Sequence, residues 1–281
     1  MDIKKAAILG LGAAAATIPV MGYAFSLPFC IRSERAVFKN LPNHLRGLKI
    51  LHIADFHGRF THKKHINIWP YLHGLKFDMA VFTGDVILDS PDQLHPHADD
   101  LKALAERVPT FYVDGNHERR CSYNVAKMLE DMGITVLFNQ HGNFVVGEKG
   151  QANSPVVPIT GFREYGYLSR RDFTDVEPLI DHMAKESFCI ILCHQPQIFD
   201  LLDKRIKSGL VLAGHTHGGQ LRLPFMPTLY APGQGILPKY GDGWYEKDGL
   251  KMFISRGVGA THFFIRTFNP PEVAIIELQR A

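Results

Sequence analysis

Short hydrophobic runs alternate with helix-like periods along the chain from residue 47 onward. In the first half, β-rich runs at 48–54, 79–82, 110–113 and 134–137 are separated by helical patterns at 62–73, 91–108 and 122–132. Ser122 is the expected N-cap of the last of these helices. This strand–helix–strand order predicts right-handed crossovers and a mostly parallel sheet.

The second half has shorter strands and more glycine and proline. Its apolar runs predict strands at 156–160, 188–192, 210–213, 252–255 and 273–278, and helices at 176–185 and 196–202. We expect these strands to form a second sheet packed on the first. The expected fold is therefore α/β, a four-layer αββα sandwich of two mixed sheets flanked by helices, in one domain covering 47–281.

The amino-terminal segment differs from the rest because it lacks charge over 26 residues, Ala6 to Ile31, after Lys4 and Lys5. About 20 apolar residues can cross a bilayer, and 6–25 has that length. We expect 1–31 to be a membrane anchor, with a cleavable signal segment as the alternative, and 32–46 to be a linker. The two lysines favour an outward-facing domain on a bacterial inner membrane, although basic residues in the linker oppose this orientation.

The composition of the chain limits the kinds of binding partner and cysteine site that we expect. The net charge is +3 and the pI about 8.6, which is too weakly basic to indicate a nucleic-acid partner. Of the four cysteines, Cys189 and Cys193 fall on one predicted strand. Four residues along a strand cover about 13 Å, which is too far for a disulfide. Neither a disulfide framework nor a cysteine zinc site is expected.

Polar side chains with metal-ligand chemistry follow the predicted strands directly. Asp55, Asp85 and Asn116 each come after a different strand of the first half. In open parallel sheets, ligand sites lie beyond the carboxyl ends of the strands. Three strands that each deliver a ligand to one edge are hard to explain by core packing, so we expect a site at this edge.

Five short motifs complete the pattern. They are, in order, Asp55-Phe56-His57, Gly84-Asp85, Gly115-Asn116-His117-Glu118, His194 and Gly214-His215-Thr216-His217. Each motif alone has an ordinary structural explanation, such as a turn or a helix cap. Together they offer carboxylate, imidazole and amide oxygen but no thiolate, a set that suits a divalent metal pair acting on phosphate oxygens.

These motifs, in this order, resemble the calcineurin-like metallophosphoesterases, and residues 48–279 resemble the bacterial members with an N-terminal membrane segment. That subgroup includes envelope phosphoesterases and enzymes that cleave UDP-2,3-diacylglucosamine in lipid A synthesis. The resemblance implies a first metal held by Asp55, His57 and His217, and a second held by Asn116, His194 and His215. It also implies that Asp85 bridges the two metals and that the catalytic residue His117 helps to protonate the leaving group or stabilises charge on the phosphoryl group.

The implied reaction is the attack of a metal-activated hydroxide on phosphorus, with two divalent ions that could be Mn²⁺, Fe or Zn²⁺. The substrate is a phosphoester or a nucleotide-linked lipid: either UDP-2,3-diacylglucosamine, which needs an inward-facing domain, or a broad range of esters outside the cytoplasm. A non-catalytic metal-binding scaffold is the remaining alternative.

One position departs from the family: Leu88 stands where a second aspartate is common, and Asp89 follows it.

Overall fold

The structure, a computed structural model, describes residues 29–58, 67–121, 124–147, 154–164, 176–219, 222, 228–259 and 266–281. No helix within these ranges has both the length and the apolar character needed to cross a bilayer. Nearly all of the expected anchor, 1–31, lies outside the described residues.

The first sheet has six strands, and most of its neighbouring strands run parallel. Its spatial order is β1 (Cys30–Phe38), β14 (Glu272–Arg280), β2 (Lys49–Ile53), β3 (Met79–Thr83), β4 (Thr110–Val113) and β5 (Thr135–Val136). Only the β14–β2 pair is antiparallel. The sheet is mixed, as expected.

The second sheet also has six strands and reverses direction at both edges. Its order is β12 (Gly243–Lys247), β13 (Leu250–Ile254), β9 (Gly209–Ala213), β8 (Cys189–Leu192), β7 (Val156–Gly161) and β6 (Gln140–Val145). The β12–β13 and β7–β6 pairs are antiparallel, and the pairs between them are parallel. A two-stranded hairpin, β10 (Tyr230–Ala231) and β11 (Gly235–Ile236), stands apart from both sheets.

The described helices are short and cover the outer faces. They are α1 (Trp69–His73), α2 (Ala98–Arg107), α3 (Asn116–Arg120), α4 (Val125–Asp131) and α5 (Glu177–Met183), with 3₁₀ turns at Asn43–Leu45, Pro91–Gln93, His95–His97 and Pro196–Asp200.

Three separate hydrophobic clusters establish the four layers. The central cluster joins the two sheets, and one further cluster lies between each sheet and its helices. Strand β2 shows how the sequence divides its side chains: Ile50 faces the central cluster, whereas Leu51 and Ile53 face the helices. The period of two thus buries both faces of the strand. The expected αββα sandwich is confirmed.

The main difference from expectation is strand β1. The sequence predicts a linker at 32–46, but the structure pairs Cys30–Phe38 with β14 over its whole length. Charged residues interrupt the hydrophobic alternation by which a strand is recognised. Arg32 and Glu34 bond to each other, and Trp244 of the second sheet donates to Glu34 over 2.8 Å. Only Ala36 and Phe38 of the strand are fully buried.

Helix boundaries differ where proline and capping residues intervene. The expected helix 91–108 is divided into two 3₁₀ turns and α2, because Pro96 has no N–H to continue the ladder of helical hydrogen bonds. The expected helix 122–132 begins at Val125, with Asn124 accepting the Lys127 amide over 3.0 Å; Ser122 lies outside the described residues. The predicted helix 196–202 is a 3₁₀ turn.

The two sheets meet so that their carboxyl edges lie together. The amide of Asp55, just after β2, bonds to the Gly84 carbonyl after β3. The amide of His215, just after β9 of the second sheet, reaches across to Asp55 Oδ2 over 3.0 Å. The loops that follow these strands therefore converge on one place.

Candidate metal centre

Loops from both sheets supply the eight predicted site residues. The first sheet contributes Asp55, His57, Asp85, Asn116 and His117, and the second contributes His194, His215 and His217. Seven of the eight belong to three clusters whose potential ligand atoms lie within 4.8 Å of one another: Asp55–His57–His217, His57–Asp85–His117 and Asp85–His194–His215. Asn116 joins them through a 3.2 Å contact between its Oδ1 and His194 Nε2. The structure therefore brings all eight residues together.

The first half of the site contains Asp55, His57 and His217. The two imidazole rings stack with an interplanar angle of 10°, and their Nε2 atoms are 3.4 Å apart. Asp55 Oδ1 lies 3.4 Å from the same Nε2 of His217. Two ring nitrogens and one carboxylate oxygen therefore point at a common position.

The second half contains His194, His215 and Asn116. His194 Nε2 lies 3.1 Å from His215 Nδ1 and 3.2 Å from Asp85 Oδ2. His215 Nε2 is buried and has no hydrogen-bond partner among the described residues. This half again directs imidazole nitrogens and oxygens at one point.

Asp85 lies between the halves. Its carboxylate belongs both to the cluster with His57 and to the cluster with His194 and His215. Oδ1 accepts the His117 amide over 2.9 Å, which fixes the orientation of the carboxylate. One carboxylate can therefore contact cations in both halves.

Backbone carbonyls set the tautomers of two histidines. His57 Nδ1 lies 3.1 Å from the Ile87 carbonyl oxygen, and His194 Nδ1 lies 2.8 Å from that of Thr83. Only a protonated nitrogen can bond to a carbonyl, so both rings carry the proton on Nδ1. In the neutral rings the lone pair is then on Nε2, directed into the site, as in histidine metal ligands held by an outer carbonyl.

The electrostatics of the histidines also suit ligation. Burial lowers the pKa of His57 to about 4 and that of His215 to about 3, and it lowers the pKa of His217 well below the usual value. These rings are therefore neutral near pH 7, and a neutral imidazole is the form that binds a metal.

The two carboxylates need positive charge nearby. Burial, together with the charge of Asp85, raises the pKa of Asp55 to about 7. Burial alone would raise the pKa of Asp85 as well, but His194 holds it below the usual range, and Asp85 in return raises the pKa of His194. Positive charge at His194 Nε2, whether a proton or a metal ion, neutralises Asp85.

The backbone of the site is strained. Five of the nine non-glycine residues with positive φ in the described ranges are predicted ligands: Asp55 (47°), His57 (55°), Asp85 (51°), His215 (70°) and His217 (50°). Left-handed backbone costs an ordinary L-residue about 1 kcal/mol or more. Such strain concentrates where a fold holds side chains for function.

Glu118 is a residue whose role the sequence reasoning did not identify. Its buried carboxylate accepts three backbone amides, from Asp85 and Gly115 over 2.8 Å each and from Ile87 over 3.0 Å. Burial, then the charge of Asp85, raises its pKa to about 8. Glu118 thus ties the loop after β3 to the loop after β4. The sequence signal that could have identified Glu118 is its position directly after His117, at the end of the Gly115-Asn116-His117-Glu118 motif.

Arg266 and Asn269 support the other side of the site. Arg266 donates to the carbonyls of Arg256 and Gly259 over 2.9 and 2.5 Å, and its Nη2 lies 3.3 Å from His217 Nδ1. Asn269 donates to the His217 carbonyl over 2.5 Å. The Gly259 amide in turn bonds to the Asp55 carbonyl over 2.7 Å. These contacts hold Asp55 and His217 in place.

His117 lies at the mouth of the site. Its Nδ1 bonds to the Leu88 carbonyl, and its Nε2 faces Asp85 Oδ2 at 3.8 Å. The His117 side chain is 13% exposed, whereas that of Asp85 is 2% exposed. A ring at the entrance, with Nε2 directed inward, can meet a group that enters from solvent.

Asp89 stands outside the site. Its side chain accepts a hydrogen bond from the side-chain Nε2 of Gln93 over 2.5 Å, and Asp89 belongs to none of the three clusters. The 3₁₀ turn that follows is capped by Ser90, which accepts the Asp92 amide. Leu88, at the position of the absent second aspartate, is buried, and its carbonyl oxygen bonds to Nδ1 of His117.

The residues fit divalent cations. Imidazole nitrogens that face each other across 3.1–3.4 Å, beside buried carboxylates, are arranged so that one cation can accept lone pairs from several of them. The donor set of nitrogen and oxygen without sulfur suits Mn²⁺, Fe or Zn²⁺.

Comparison with known proteins agrees with this geometry. Residues 48–219 match the model of the calcineurin-like phosphoesterase family. The chain is 27% identical to the uncharacterized metallophosphoesterase YkuE of Bacillus subtilis, over 92% of this chain and 89% of that protein. It is 29% identical to the phosphodiesterase YaeI of Escherichia coli, over 95% and 97% of the two chains. It is 26% identical to a transmembrane protein with a metallophosphoesterase domain from Danio rerio, over 86% of this chain and 56% of that protein.

The family match covers more than half of the chain and includes every predicted ligand and His117. The chain therefore belongs to the calcineurin-like phosphoesterase family.

Proposed function

We propose that this protein is a two-metal phosphodiesterase that splits phosphodiester or diphosphate bonds. Asp55, His57 and His217 would hold one ion, Asn116, His194 and His215 would hold the other, and Asp85 would serve both. The observation that carries the proposal is the position of Asp85, whose carboxylate belongs to ligand clusters in both halves of the site. When bound, such ions lower the pKa of water and neutralise phosphoryl oxygens.

The remaining roles belong to the side chains. His117 is placed to donate a proton from Nε2 to the departing oxygen, because Nδ1 is committed to the Leu88 carbonyl and Nε2 faces into the site toward Asp85. Glu118 keeps the Asp85 loop in register with His117. Two carboxylates among seven ligands leave the site with net positive charge, which favours an anionic phosphate.

We also propose that the protein is associated with a bacterial membrane through 1–31. The uncharged run from Ala6 to Ile31 supports this, and one relative is named as a transmembrane protein. A nucleotide-linked lipid such as UDP-2,3-diacylglucosamine is then a second candidate substrate beside a broad range of phosphodiesters. A topology reporter at the carboxyl terminus separates the two: a domain on the outer side contradicts the nucleotide-lipid role.

The test is hydrolysis of bis-p-nitrophenyl phosphate by the full chain. The wild type is assayed with Mn²⁺ and with chelator, and the His117→Ala variant is assayed with Mn²⁺. The proposal predicts activity that chelator abolishes. It also predicts that His117→Ala lowers kcat by about 10²-fold or more, the usual contribution of a general acid, while bound metal is retained.

The matched control is His44→Ala, an exposed histidine of the Asn43–Leu45 turn that belongs to none of the three clusters. His44→Ala should leave hydrolysis unchanged. Full activity of His117→Ala, or full activity in chelator, contradicts the proposal.

A further inference from the structure

The hairpin of β10 and β11 exposes apolar side chains beside the metal centre. Ile236 is 81% exposed and Leu237 66%, the two largest values for large hydrophobic residues in the described ranges, and Tyr230 is 42% exposed. Leu237 has a φ of 51°, and its amide bonds to the Leu229 carbonyl over 2.9 Å. A leucine held in left-handed backbone and turned into solvent is not explained by packing.

The hairpin touches the site directly. A β-carbon placed on Gly233, at its tip, would lie 2.9 Å from Nε2 of His215. On the next loop, a β-carbon on Gly219 would lie 2.9 Å from the Tyr230 carbonyl oxygen. The exposed apolar residues therefore stand on the same edge of the molecule as the metal ligands.

The amino-terminal segment enters the fold at this edge too. Cys30 begins β1, pairs with Glu272, and donates its amide to the Pro271 carbonyl over 2.9 Å. The Glu272 amide bonds to the Gly257 carbonyl, and a β-carbon on Gly257 would lie 2.7 Å from that of Asp55. Two residues thus connect the start of β1 to a metal ligand.

Chain length then limits how far this edge can stand from a bilayer. With 6–25 in the membrane, as proposed above, only residues 26–29 separate that segment from Cys30. Five extended peptide units reach at most about 18 Å. The start of β1, and the edge of the sheets on which it lies, therefore stays within about 18 Å of the bilayer.

From the exposed hairpin and this short tether, we propose that residues 230–237 form a membrane-docking surface that rests the metal centre on a lipid bilayer. Aliphatic tips with a neighbouring tyrosine match the acyl and headgroup levels of a bilayer, respectively. This proposal rests on the phosphodiesterase function proposed above. Docking would let that site reach phosphoesters at the membrane surface without the substrate leaving the lipid.

The test uses the full chain in vesicles of phosphatidylethanolamine and phosphatidylglycerol. Cys30 and Cys121 are changed to Ser, whereas Cys189 and Cys193 stay because they are buried. Ile236→Cys carries an environment-sensitive fluorophore. Val156→Cys is the control, since Val156 is 48% exposed at the amino end of β7, on the opposite edge of the sheets. Quenching by a doxyl-labelled lipid is compared with quenching by iodide.

Docking predicts that doxyl lipid quenches the label at 236 at least threefold more than the label at 156, and that iodide shows the reverse order. Equal quenching at the two positions overturns the proposal. Protection of position 236 from both quenchers also overturns it, because a protein then covers the hairpin.

Hydrolysis of bis-p-nitrophenyl phosphate by the same samples keeps the two proposals apart. A docked hairpin without hydrolysis contradicts only the phosphodiesterase function. Hydrolysis with the label in water contradicts only the docking. Leu237→Cys serves as a second labelled variant if Ile236→Cys does not fold.

Discussion

At the scale of single residues, the site depends on side chains that are not themselves ligands. Glu118 accepts three amides with one carboxylate, and a carbonyl fixes each of the tautomers of His57 and His194. Left-handed backbone at five predicted ligands opposes folding, so these bonds must hold the loops in place. Stability and metal binding are therefore expected to change together when such a bond is removed.

Glu118→Gln tests this coupling. The amide has only one acceptor oxygen, and its own N–H groups would face backbone N–H groups that the carboxylate now satisfies. We expect the free energy of unfolding to fall by about 2–3 kcal/mol, since buried donors lose their acceptor, and Mn²⁺ affinity to fall with it. Urea unfolding and metal titration measure the two effects. Glu130→Gln, at an exposed position of α4, should change neither.

His52 gives a prediction for pH. It is buried between the sheets with Nε2 2.8 Å from Thr83 Oγ1, and burial lowers its pKa to about 3. The folded state therefore binds this proton less readily than the unfolded chain, whose histidine pKa is about 6.5. The contribution of His52 to stability is complete above pH 6.5 and declines as the pH falls toward 3.

Between pH 7 and pH 5 this decline amounts to about 2 kcal/mol. Urea unfolding of the wild type and of His52→Gln at several pH values measures it. The variant should lose less stability on acidification by roughly this amount. Identical pH slopes for the two proteins would show that His52 does not titrate in this way.

At the scale of elements, the buried strands and the longer helices were predictable, whereas the edge strands β1, β6 and β12 were not. Strands β3, β8 and β9 bury both faces and are almost entirely apolar, and β2 is apolar apart from Lys49 and His52. Strand β1 carries Arg32 and Glu34, which bond to each other, and Glu34 also accepts from Trp244 of the second sheet. Because these charged residues interrupt its apolar pattern, the sequence of β1 resembles a linker. Short strands such as β10 and β11 contain too few residues to show a period.

The convergence of the predicted ligand residues at one edge was predictable for the same reason as the buried strands. Each ligand motif follows a strand that is easily recognised, and parallel strands collect their carboxyl ends at one edge. The supporting contacts of Arg266 and Asn269 were not predictable, because they join loops 49 and 52 residues apart. Their identity depends on the tertiary arrangement rather than on a local pattern.

The start of α4 gives a prediction at this scale. Asn124 is the N-cap of α4, and its side chain accepts the amide of Lys127. Asn124→Ala should therefore lower the free energy of unfolding by about 1 kcal/mol, the usual value of an N-cap. Asn40→Ala, in an exposed turn, is the control and should have little effect. Equal effects of the two substitutions in urea unfolding would contradict the assigned cap.

At the scale of the whole molecule, the site exists only when the two sheets are packed. His57 and His217 meet across 160 residues of sequence, and His194 lies 78 residues from Asn116. Metal bound to both halves therefore favours the folded state over the unfolded chain. The same edge of the sheets carries the start of β1 and the exposed hairpin, so one face unites the metal ligands and the proposed membrane contact.

The most direct test of this account is the number of divalent ions that the full chain binds. Equilibrium dialysis against Mn²⁺ with elemental analysis measures it, for the wild type and for Asp85→Asn. The account predicts two ions per chain in the wild type, and weaker binding with loss of diesterase activity in Asp85→Asn. One ion or none in the wild type, or two tightly bound ions in Asp85→Asn, would contradict the shared two-metal site.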